Sequence, residues 1–412
     1  MSTYSKGMLS DLFEGVVVKK LTLVETVTAK SNQHEFQGIR PLKSLFGEED
    51  RRGIPAKFIW LGEEQDAFSE DGFVSWSNVR KGKPRAPEFH LYYSGNAVTE
   101  AMKPDDTMFL ALRRDGSVMT IITPEGSTTQ NQLLWLFGID EQAGLDFTFQ
   151  KIDPSDSARL DFAARYVLDE LQIEPEEPET DVLDRLIEPF GLQFPNTRLF
   201  SEAARKSLPE VSALDDADAA LYAWMEREEA MFRRLERHIV AGRITTGFAG
   251  GDDGADVEGF LSFSLSVQQR RKSRVGHALE NHLEAVFGAN QLRYARGAKT
   301  DNKNRPDFLF PGPAEYHDPA FDPGLLTMLG AKSTCKDRWR QVLSEAERIP
   351  AKHLLTLEPG ISENQTDEMK AKKLQLVLPA ALHETYREIQ RPWLFSVSDF
   401  LKLVKQRQDT IG

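Results

Sequence analysis

The chain has 412 residues, enough for about two or three ordinary domains, and its 40% apolar content is typical of soluble globular proteins. A net charge of −13 argues against wholesale coating of nucleic acid, but it leaves room for a local cluster of Lys and Arg. The single cysteine excludes a disulfide framework and a cysteine-rich zinc site, so we expect a cytoplasmic protein. No apolar run approaches the ~20 residues of a membrane helix, and the start lacks a signal-peptide pattern, so no membrane association is expected.

The first ~140 residues predict a strand-rich domain. Short apolar stretches at Gly15–Val18, Lys57–Leu61 and Phe89–Tyr93 recur between turn signals. Met108–Leu112 and Val118–Ile122 flank an Asp-Gly turn, which predicts a hairpin. Many short strands at this spacing indicate a barrel or a sandwich.

A domain boundary is predicted after the strand-rich part. Residues 155–172 change to a helical period, and the acidic Glu174–Glu179, broken twice by proline, cannot bury a core. We therefore predict an N-terminal domain over residues 1–172, a linker over 173–180 and a C-terminal domain over 181–412.

The second domain begins with helical patterns. One helix is predicted to be capped by Asp215 or Asp216 and to end before Gly242. Another, over residues 274–287, places Glu280 one turn from Glu284 beside an apolar stripe. Taken alone, this helix is more simply an amphipathic surface helix with solvated acids.

Two strands are predicted next. Pro306 and Asp307 precede the apolar Phe308–Phe310, so Asp307 lies at the mouth of a buried strand, although a lone Pro-Asp is often only a turn. Leu325–Ala331 can pair with that strand and ends in Lys332.

A helix is predicted to follow. Thr334 and Asp337 have capping-box spacing, which starts the helix near Cys335, itself a small filler at the turn. Its apolar face comprises Trp339, Val342, Leu343, Ala346 and Ile349. Glu345 falls on the border of this face, where a carboxylate needs a cation or a metal as partner.

Together these residues meet the requirements of metal-dependent phosphodiester hydrolysis. Carboxylates bind Mg²⁺, a hard cation that prefers oxygen ligands. The metal lowers the pKa of a water molecule and neutralises charge on the phosphate. A nearby lysine stabilises charge or positions that water.

Three segments carry a resemblance to a known family: "RRKSRVGHALENHLEAVF", "KNRPDFLFPGPAEYHDPAF" and "LTMLGAKSTCKDRWRQVLSEAERIPAKHLLTLEPGIS". They resemble the PD-(D/E)xK nucleases, specifically the restriction endonucleases of the EcoRII type, over roughly residues 265–400. The resemblance implies a C-terminal restriction-endonuclease-like α/β domain with a central mixed sheet. One position departs from the usual pattern, because Gly330 stands where an acid normally precedes the lysine by two residues. In the relevant subgroup the acid lies thirteen residues past the lysine, the place that Glu345 occupies here.

The resemblance also implies roles for individual residues. Asp307 and Glu345 would bind Mg²⁺, Lys332 would be the catalytic lysine and Glu280 a supporting acid. Tyr316, in "AEYHD", matches a tyrosine that the family carries near its active centre.

Residues that recognise DNA are expected directly after the catalytic strand. Lys336 and Arg338 can donate to guanine O6 and N7, and Asp337 can accept from cytosine N4. The simpler interpretation is a helix start with incidental bases. The resemblance implies that this cluster recognises G·C pairs in a CC(A/T)GG-like site.

The N-terminal half offers two candidate DNA-contacting arms. "WSNVRKGKPRAPEFH" (76–90) places cations in a Gly/Pro loop, and "SNQHEFQG" (31–38) is polar; either is equally well a solvated loop. The resemblance, looser here, implies a B3-like β-barrel with two such arms, which binds a second copy of the site and regulates cleavage. The candidate residues are His34, Arg80, Lys81, Lys83, Arg85 and Glu88.

The sequence thus predicts a Mg²⁺-dependent type II restriction endonuclease that makes double-strand breaks in DNA. We expect a homodimer through the C-terminal domain, since palindromic cutting needs two active centres. Two alternatives remain: a DNA-binding regulator with an inactive nuclease fold, which would bind DNA without cutting, and a structure-specific nuclease, which would cut without preference for a short palindrome.

Overall fold

The structure is a computed structural model. It describes all residues except 1–8, 10–12, 27–33, 38–39, 63–66, 83, 140–147, 151–170, 172–179, 250–253, 336–337 and 412. The chain groups into two compact units: an N-terminal unit within residues 3–175 together with 359–363, and a C-terminal unit that includes 176–358 and 364–412. The predicted linker lies outside the described residues except for Thr180, so the predicted domain boundaries stay predictions.

The N-terminal unit is strand-rich, as predicted. Its described strands are β1 (Phe13–Lys20), β2 (Glu35–Gln37), β3 (Arg51–Trp60), β4 (Phe68–Asn78), β5 (Phe89–Tyr93), β6 (Thr107–Arg113), β7 (Val118–Thr123) and β8 (Thr148–Gln150). They form one sheet in the order β2-β5-β4-β3-β7-β6-β1-β8, in which only the β3–β7 pair is parallel. The described helices are α1 (Leu23–Thr26), α2 (Arg40–Phe46), α3 (Ala97–Ala101) and α4 (Thr128–Leu136).

Side chains cover both faces of this sheet. On β1, Val17 packs in one core cluster while Val16 and Val18 pack in the other, because successive side chains of a strand point to opposite faces. The predicted hairpin is confirmed by the antiparallel pairing of β6 with β7. Gly116 in its turn has φ +81°, a conformation that suits glycine. The predicted helix over 155–172 lies outside the described residues apart from the buried Leu171.

The C-terminal unit contains the predicted central mixed sheet. Its strands are β9 (Ala295–Arg296), β10 (Phe308–Phe310), β11 (Thr327–Lys332), β12 (Lys352–Thr356) and β13 (Leu374–Val377), in the order β13-β12-β11-β10-β9. β9, β10 and β11 are antiparallel neighbours, whereas β11, β12 and β13 run parallel. The α/β fold class is confirmed for this unit.

Helices precede, separate and follow these strands along the chain. They are α5 (Thr180–Ile187), α6 (Thr197–Lys206), α7 (Ala217–Thr246), α8 (Val257–Ala289), α9 (Pro313–His317), α10 (Trp339–Val342), α11 (Glu363–Ala371) and α12 (Val397–Ile411). Short 3₁₀ turns occupy Glu188–Phe190, Asp301–Lys303, Pro323–Leu325, Ala380–Thr385 and Arg391–Trp393. None of the described helices is long and apolar enough to cross a membrane.

Helix α7 is capped by Asp216, whose side chain accepts from the Ala219 amide at 2.9 Å, as one of the two predicted alternatives. Its predicted end before Gly242 is wrong. The helix continues to Thr246 and stops at Gly247, which has φ +79° and so adopts the left-handed conformation that ends many helices. An isolated glycine inside a helix costs only about 1 kcal/mol, which packing overrides.

The helix predicted from Cys335 through Ile349 is also wrong. Helix α10 spans only Trp339–Val342, and the chain then turns, with Ala346 at φ +50°. Trp339, Val342 and Ile349 of the predicted apolar face are nevertheless buried. Burial by itself does not distinguish a helix from a tightly packed turn.

Candidate active site

Strands β10 and β11 bring Asp307 and Lys332 together. Asp307 directly precedes β10, and Lys332 ends the neighbouring β11, on which Leu329 faces Phe308. The Oδ2 atom of Asp307 accepts from Lys332 Nζ at 2.8 Å and from the Ala331 amide at 2.7 Å. Both side chains are about one-fifth exposed, so the pair lies where these two strands end, within reach of solvent.

Glu345 is the second carboxylate of this site. Burial raises its pKa to about 7, and the negative charge of Asp307 adds to this effect, while Lys332 and Lys352 oppose it. Its Oε2 atom is buried and has no hydrogen-bond partner. A carboxylate held near another one, with an unpaired buried oxygen, is typical of a functional site.

The structure explains why Gly330 replaces the usual acid. A Cβ atom at residue 330 would lie 2.8 Å from Val342 Cγ2 and 3.2 Å from Val342 Cγ1. Val342, on α10, is fully buried and fills the space where an acidic side chain would start. The carboxylate must therefore come from another segment, and Glu345 supplies it.

Glu280 is engaged by an arginine. Its Oε2 accepts from Arg296 Nη2 at 2.6 Å and from Nε at 2.9 Å, and Arg296 also bonds Glu284 Oε2 at 2.5 Å. Arg296 pairs with Phe308 on β10, next to Asp307 in sequence. Glu280 is therefore linked through Arg296 to β9, the neighbour of the strand that follows Asp307, and its supporting role stays a prediction.

Tyr316 lies on α9 with only 1% of its surface exposed. Its hydroxyl donates to Asp301 Oδ2. Burial raises the pKa of Tyr316 to about 12, and the hydrogen bond to Asp301 adds to this. A buried phenol engaged in this way is poorly suited to act as a nucleophile or a base.

The pair Asp307 and Glu345 fits a hard divalent cation. No group of three or more His, Cys, Asp or Glu side chains is arranged for a metal within the described part of the chain. Mg²⁺, however, often takes only one or two carboxylates and completes its shell with water and phosphate oxygens. A cation beside Glu345 would satisfy its unpaired oxygen and offset the repulsion from Asp307.

The predicted base-recognising cluster is only partly described. Arg338 is exposed and directly precedes α10, whereas Lys336 and Asp337 lie outside the described residues. Cys335 is fully buried, and burial raises the pKa of its thiol well above the usual range, in agreement with a packing role. Its amide donates to the buried carboxylate of Glu358 after β12, a contact that the sequence analysis missed because no local pattern marks it.

The described N-terminal candidates lie around β2, β4 and β5 at one edge of the sheet. Arg80 forms an ion pair with Glu88, and Lys81 Nζ lies 2.7 Å from Asp50 Oδ2. Arg85 is exposed in the same loop between β4 and β5. His34 precedes β2, and its ring meets that of Tyr93 edge-on at 5.4 Å between centroids; Lys83 lies outside the described residues.

His90 is a further polar residue of this edge that the sequence analysis did not single out. Its ring nitrogens lie 2.9 Å from Glu35 Oε2 and 3.1 Å from Glu88 Oε1. Burial opposes protonation, but the bonds to the two glutamates outweigh it and raise the pKa of His90. In the sequence, the only indication of a role for His90 is its place at the end of the predicted arm over residues 76–90.

Comparison with known proteins finds similarity in the second half of the chain. Residues 232–401 match the family model described as EcoRII C terminal. Asp307, Lys332 and Glu345 all lie within the matched residues.

The particular relative is the "Type II restriction enzyme EcoRII" of Escherichia coli, 41% identical over 187 residues. The alignment covers 45% of this chain and 45% of that protein, so it spans less than half of either. Two solved structures are also similar. The "Restriction endonuclease PspGI-substrate DNA complex" has a TM-score of 0.44 at 15% identity and covers 53% of this chain and 94% of that chain. "Metal-depleted Ecl18kI in complex with uncleaved, modified DNA" has a TM-score of 0.43 at 16% identity and covers 56% and 85%.

Proposed function

We propose that the protein is a Mg²⁺-dependent type II restriction endonuclease, which hydrolyses phosphodiester bonds in both strands of DNA at a specific site. The carrying observation is the contact of Lys332 with Asp307 at 2.8 Å, with Glu345 electrostatically coupled to both. These residues lie in the segment that matches the EcoRII C-terminal family.

Each side chain of the site has a chemical task in this proposal. Asp307 and Glu345 would hold Mg²⁺, which, when bound, neutralises charge on the phosphate and makes a water molecule more acidic. Lys332 holds its ammonium at the end of β11, where it can donate to a phosphate oxygen or to the attacking water. The Ala331 amide fixes Asp307 Oδ2 and so orients the carboxylate relative to the lysine.

Site recognition is proposed to come from Lys336, Asp337 and Arg338. The exposure of Arg338 beside α10 leaves its guanidinium free to donate to a guanine edge in the major groove. A CC(A/T)GG-like sequence is the proposed target, as the sequence resemblance to the EcoRII-type enzymes implies.

The N-terminal domain is proposed to be a B3-like module that binds a second copy of the site and regulates cleavage. The support is its strand-rich fold and the polar edge that carries His34, Arg80, Lys81, Arg85 and Glu88. The C-terminal domain is proposed to form a homodimer, because a palindromic site presents two scissile bonds related by a two-fold axis.

Digestion of a mapped DNA tests the proposal. Purified protein with Mg²⁺ is expected to give discrete fragments whose sequenced ends fall at one short palindrome, and no cutting in EDTA. Cutting scattered over the DNA, or confined to branched structures, would favour a structure-specific nuclease. Tight DNA binding with no cutting at any Mg²⁺ concentration would indicate an inactive nuclease fold.

A further inference from the structure

Glu345 stands in a turn, residues 344–349, which other parts of the chain hold in place. The turn follows α10 and contains Ala346 at φ +50°, a left-handed conformation that costs an alanine of order 1 kcal/mol. Asn304 Nδ2 donates to the Ser344 carbonyl at 2.7 Å, and Lys352 Nζ donates to the Ile349 carbonyl at 2.9 Å. The two ends of the turn are therefore fixed from outside it.

The middle of the turn is held by Asp301 and Tyr316. The Oδ2 atom of Asp301 accepts from the Glu347 amide at 3.1 Å and also from the Tyr316 hydroxyl. That hydroxyl in turn accepts from the Arg348 amide at 3.4 Å. One carboxylate and one phenol thus bind two successive backbone amides, two and three residues after Glu345.

Arg348 ties the same turn to the segment after α9. Its guanidinium donates to the backbone carbonyls of Tyr316, Asp318 and Phe321, the last two at 2.9 and 3.0 Å. The Arg348 guanidinium also lies 5.8 Å from the centre of the Tyr316 ring. Tyr316 is therefore enclosed between the turn and the 301–303 segment, with its hydroxyl directed away from solvent.

We infer that Asp301 and Tyr316 are positioning residues, which hold the turn so that the Glu345 carboxylate stays beside Asp307 for the metal. The inference rests on the proposed function. The half-buried Glu345 carboxylate lies close enough to Asp307 to be repelled by it. A turn without these contacts would let the Glu345 side chain move out into solvent. The role of Tyr316 in the family's active centre is then structural support for a metal ligand, and its hydroxyl does not touch the reacting phosphate.

Four variants test this inference. Tyr316→Phe and Asp301→Ala each remove one member of the pair, whereas Asp301→Asn keeps an oxygen acceptor for both donors. Tyr294→Phe is the matched control, because it removes a hydroxyl in the same unit that only approaches the Glu284 carbonyl at 3.5 Å. Thermal melting of all four establishes that they fold.

Two measurements are made without turnover. Hydrogen exchange of the metal-free protein is expected to show faster uptake in the peptide covering 343–350 for Tyr316→Phe and Asp301→Ala. Mn²⁺ binding to the protein in the absence of DNA, followed by electron paramagnetic resonance, is expected to weaken about 10- to 100-fold in the same two variants, as for other residues that orient metal ligands. Asp301→Asn and Tyr294→Phe are expected to resemble the wild type in both.

Cleavage supplies the third measurement. For Tyr316→Phe and Asp301→Ala, the Mg²⁺ concentration that gives half-maximal cleavage is expected to rise about 10- to 100-fold, as for Mn²⁺ binding. At saturating Mg²⁺ both variants are expected to recover most of the maximal rate. Loss of cleavage at every Mg²⁺ concentration, with unchanged exchange and Mn²⁺ affinity, would overturn the inference and make Tyr316 a catalytic residue. If the wild type does not cleave DNA but the variants still show weaker Mn²⁺ binding and faster exchange, only the proposed function is refuted. If the variants show neither change, the inference is overturned as well.

Discussion

Single residues of the site differ in how far the sequence could locate them. Asp307 and Lys332 follow from strand patterns, because each lies at the end of a short apolar run, and the structure places them 2.8 Å apart. Glu345 was located by the family resemblance, which implies an acid thirteen residues past the lysine. The contacts that hold its turn were not predictable, since Asp301 and Tyr316, which bind the Glu347 and Arg348 amides, are distant from the turn in sequence.

The raised pKa of Glu345 has a measurable effect on stability. Without metal, the folded protein keeps a proton on this carboxyl between its ordinary value of 4.5 and about 7, while the unfolded chain releases it. Stability therefore falls as the pH rises through this window. We therefore compare the unfolding free energy of Glu345→Gln with that of the wild type at each pH. After allowing for solvent screening of the exposed part, we expect this difference to be about 1–2 kcal/mol more in favour of the variant at pH 8 than at pH 5.

Urea unfolding in EDTA at the two pH values measures this difference. Asp322→Asn, a change of an exposed carboxylate elsewhere in the unit, is the control. An equal stability difference between Glu345→Gln and the wild type at pH 5 and pH 8 would contradict the assignment of a buried, repelled carboxylate.

Among the elements, strands were predicted better than helix ends. Alternating or continuous apolar runs marked β5, β6, β7, β10 and β11 because each strand buries side chains against a core. The segment after β11 was expected to be one helix, but it forms only the four-residue α10 and a turn. Side chains from residues 301–304 replace the helical hydrogen bonds there, and no pattern within the segment could reveal them.

The packing of α10 over β11 can be tested at Gly330. Gly330→Ala would place a methyl group 2.8 Å from Val342 Cγ2, and we expect a loss of about 1–3 kcal/mol of unfolding free energy. Adding Val342→Ala makes room for that methyl group, so the double variant is expected to lose less than the sum of the single losses. Gly276→Ala, on α8 with nothing within 4 Å, is the matched control and is expected to be neutral or stabilising. Additive losses in a double-mutant cycle of denaturation would contradict the contact.

At the scale of the whole molecule, the chain forms two units that each contain a sheet. The N-terminal sheet is covered by core clusters on both faces, as expected of an independent domain. The change of pattern near residue 172 predicted two domains because composition and period change together there. The sequence pattern of neither domain indicates whether one regulates the other, so the regulation of cleavage by the N-terminal domain is a proposal.

Truncation tests that regulation. If the N-terminal domain restrains cleavage, residues 181–412 alone are expected to cut DNA with one site about 5- to 150-fold faster than the whole chain, the usual range for coupling between two sites. Initial rates on one-site and two-site DNA measure this effect. Equal rates for the fragment and the whole chain on one-site DNA, with the fragment folded by circular dichroism, would exclude restraint by the N-terminal domain.

The central claim is that Asp307 and Lys332 perform phosphodiester hydrolysis, and it is tested most directly by paired cleavage and binding assays. Lys332→Ala and Asp307→Ala are expected to lose at least about 10²-fold in cleavage rate with Mg²⁺, while DNA binding in EDTA stays close to wild type. Lys402→Ala, an exposed lysine on α12, is expected to cut normally. Cleavage by either site variant at the wild-type rate would contradict the account.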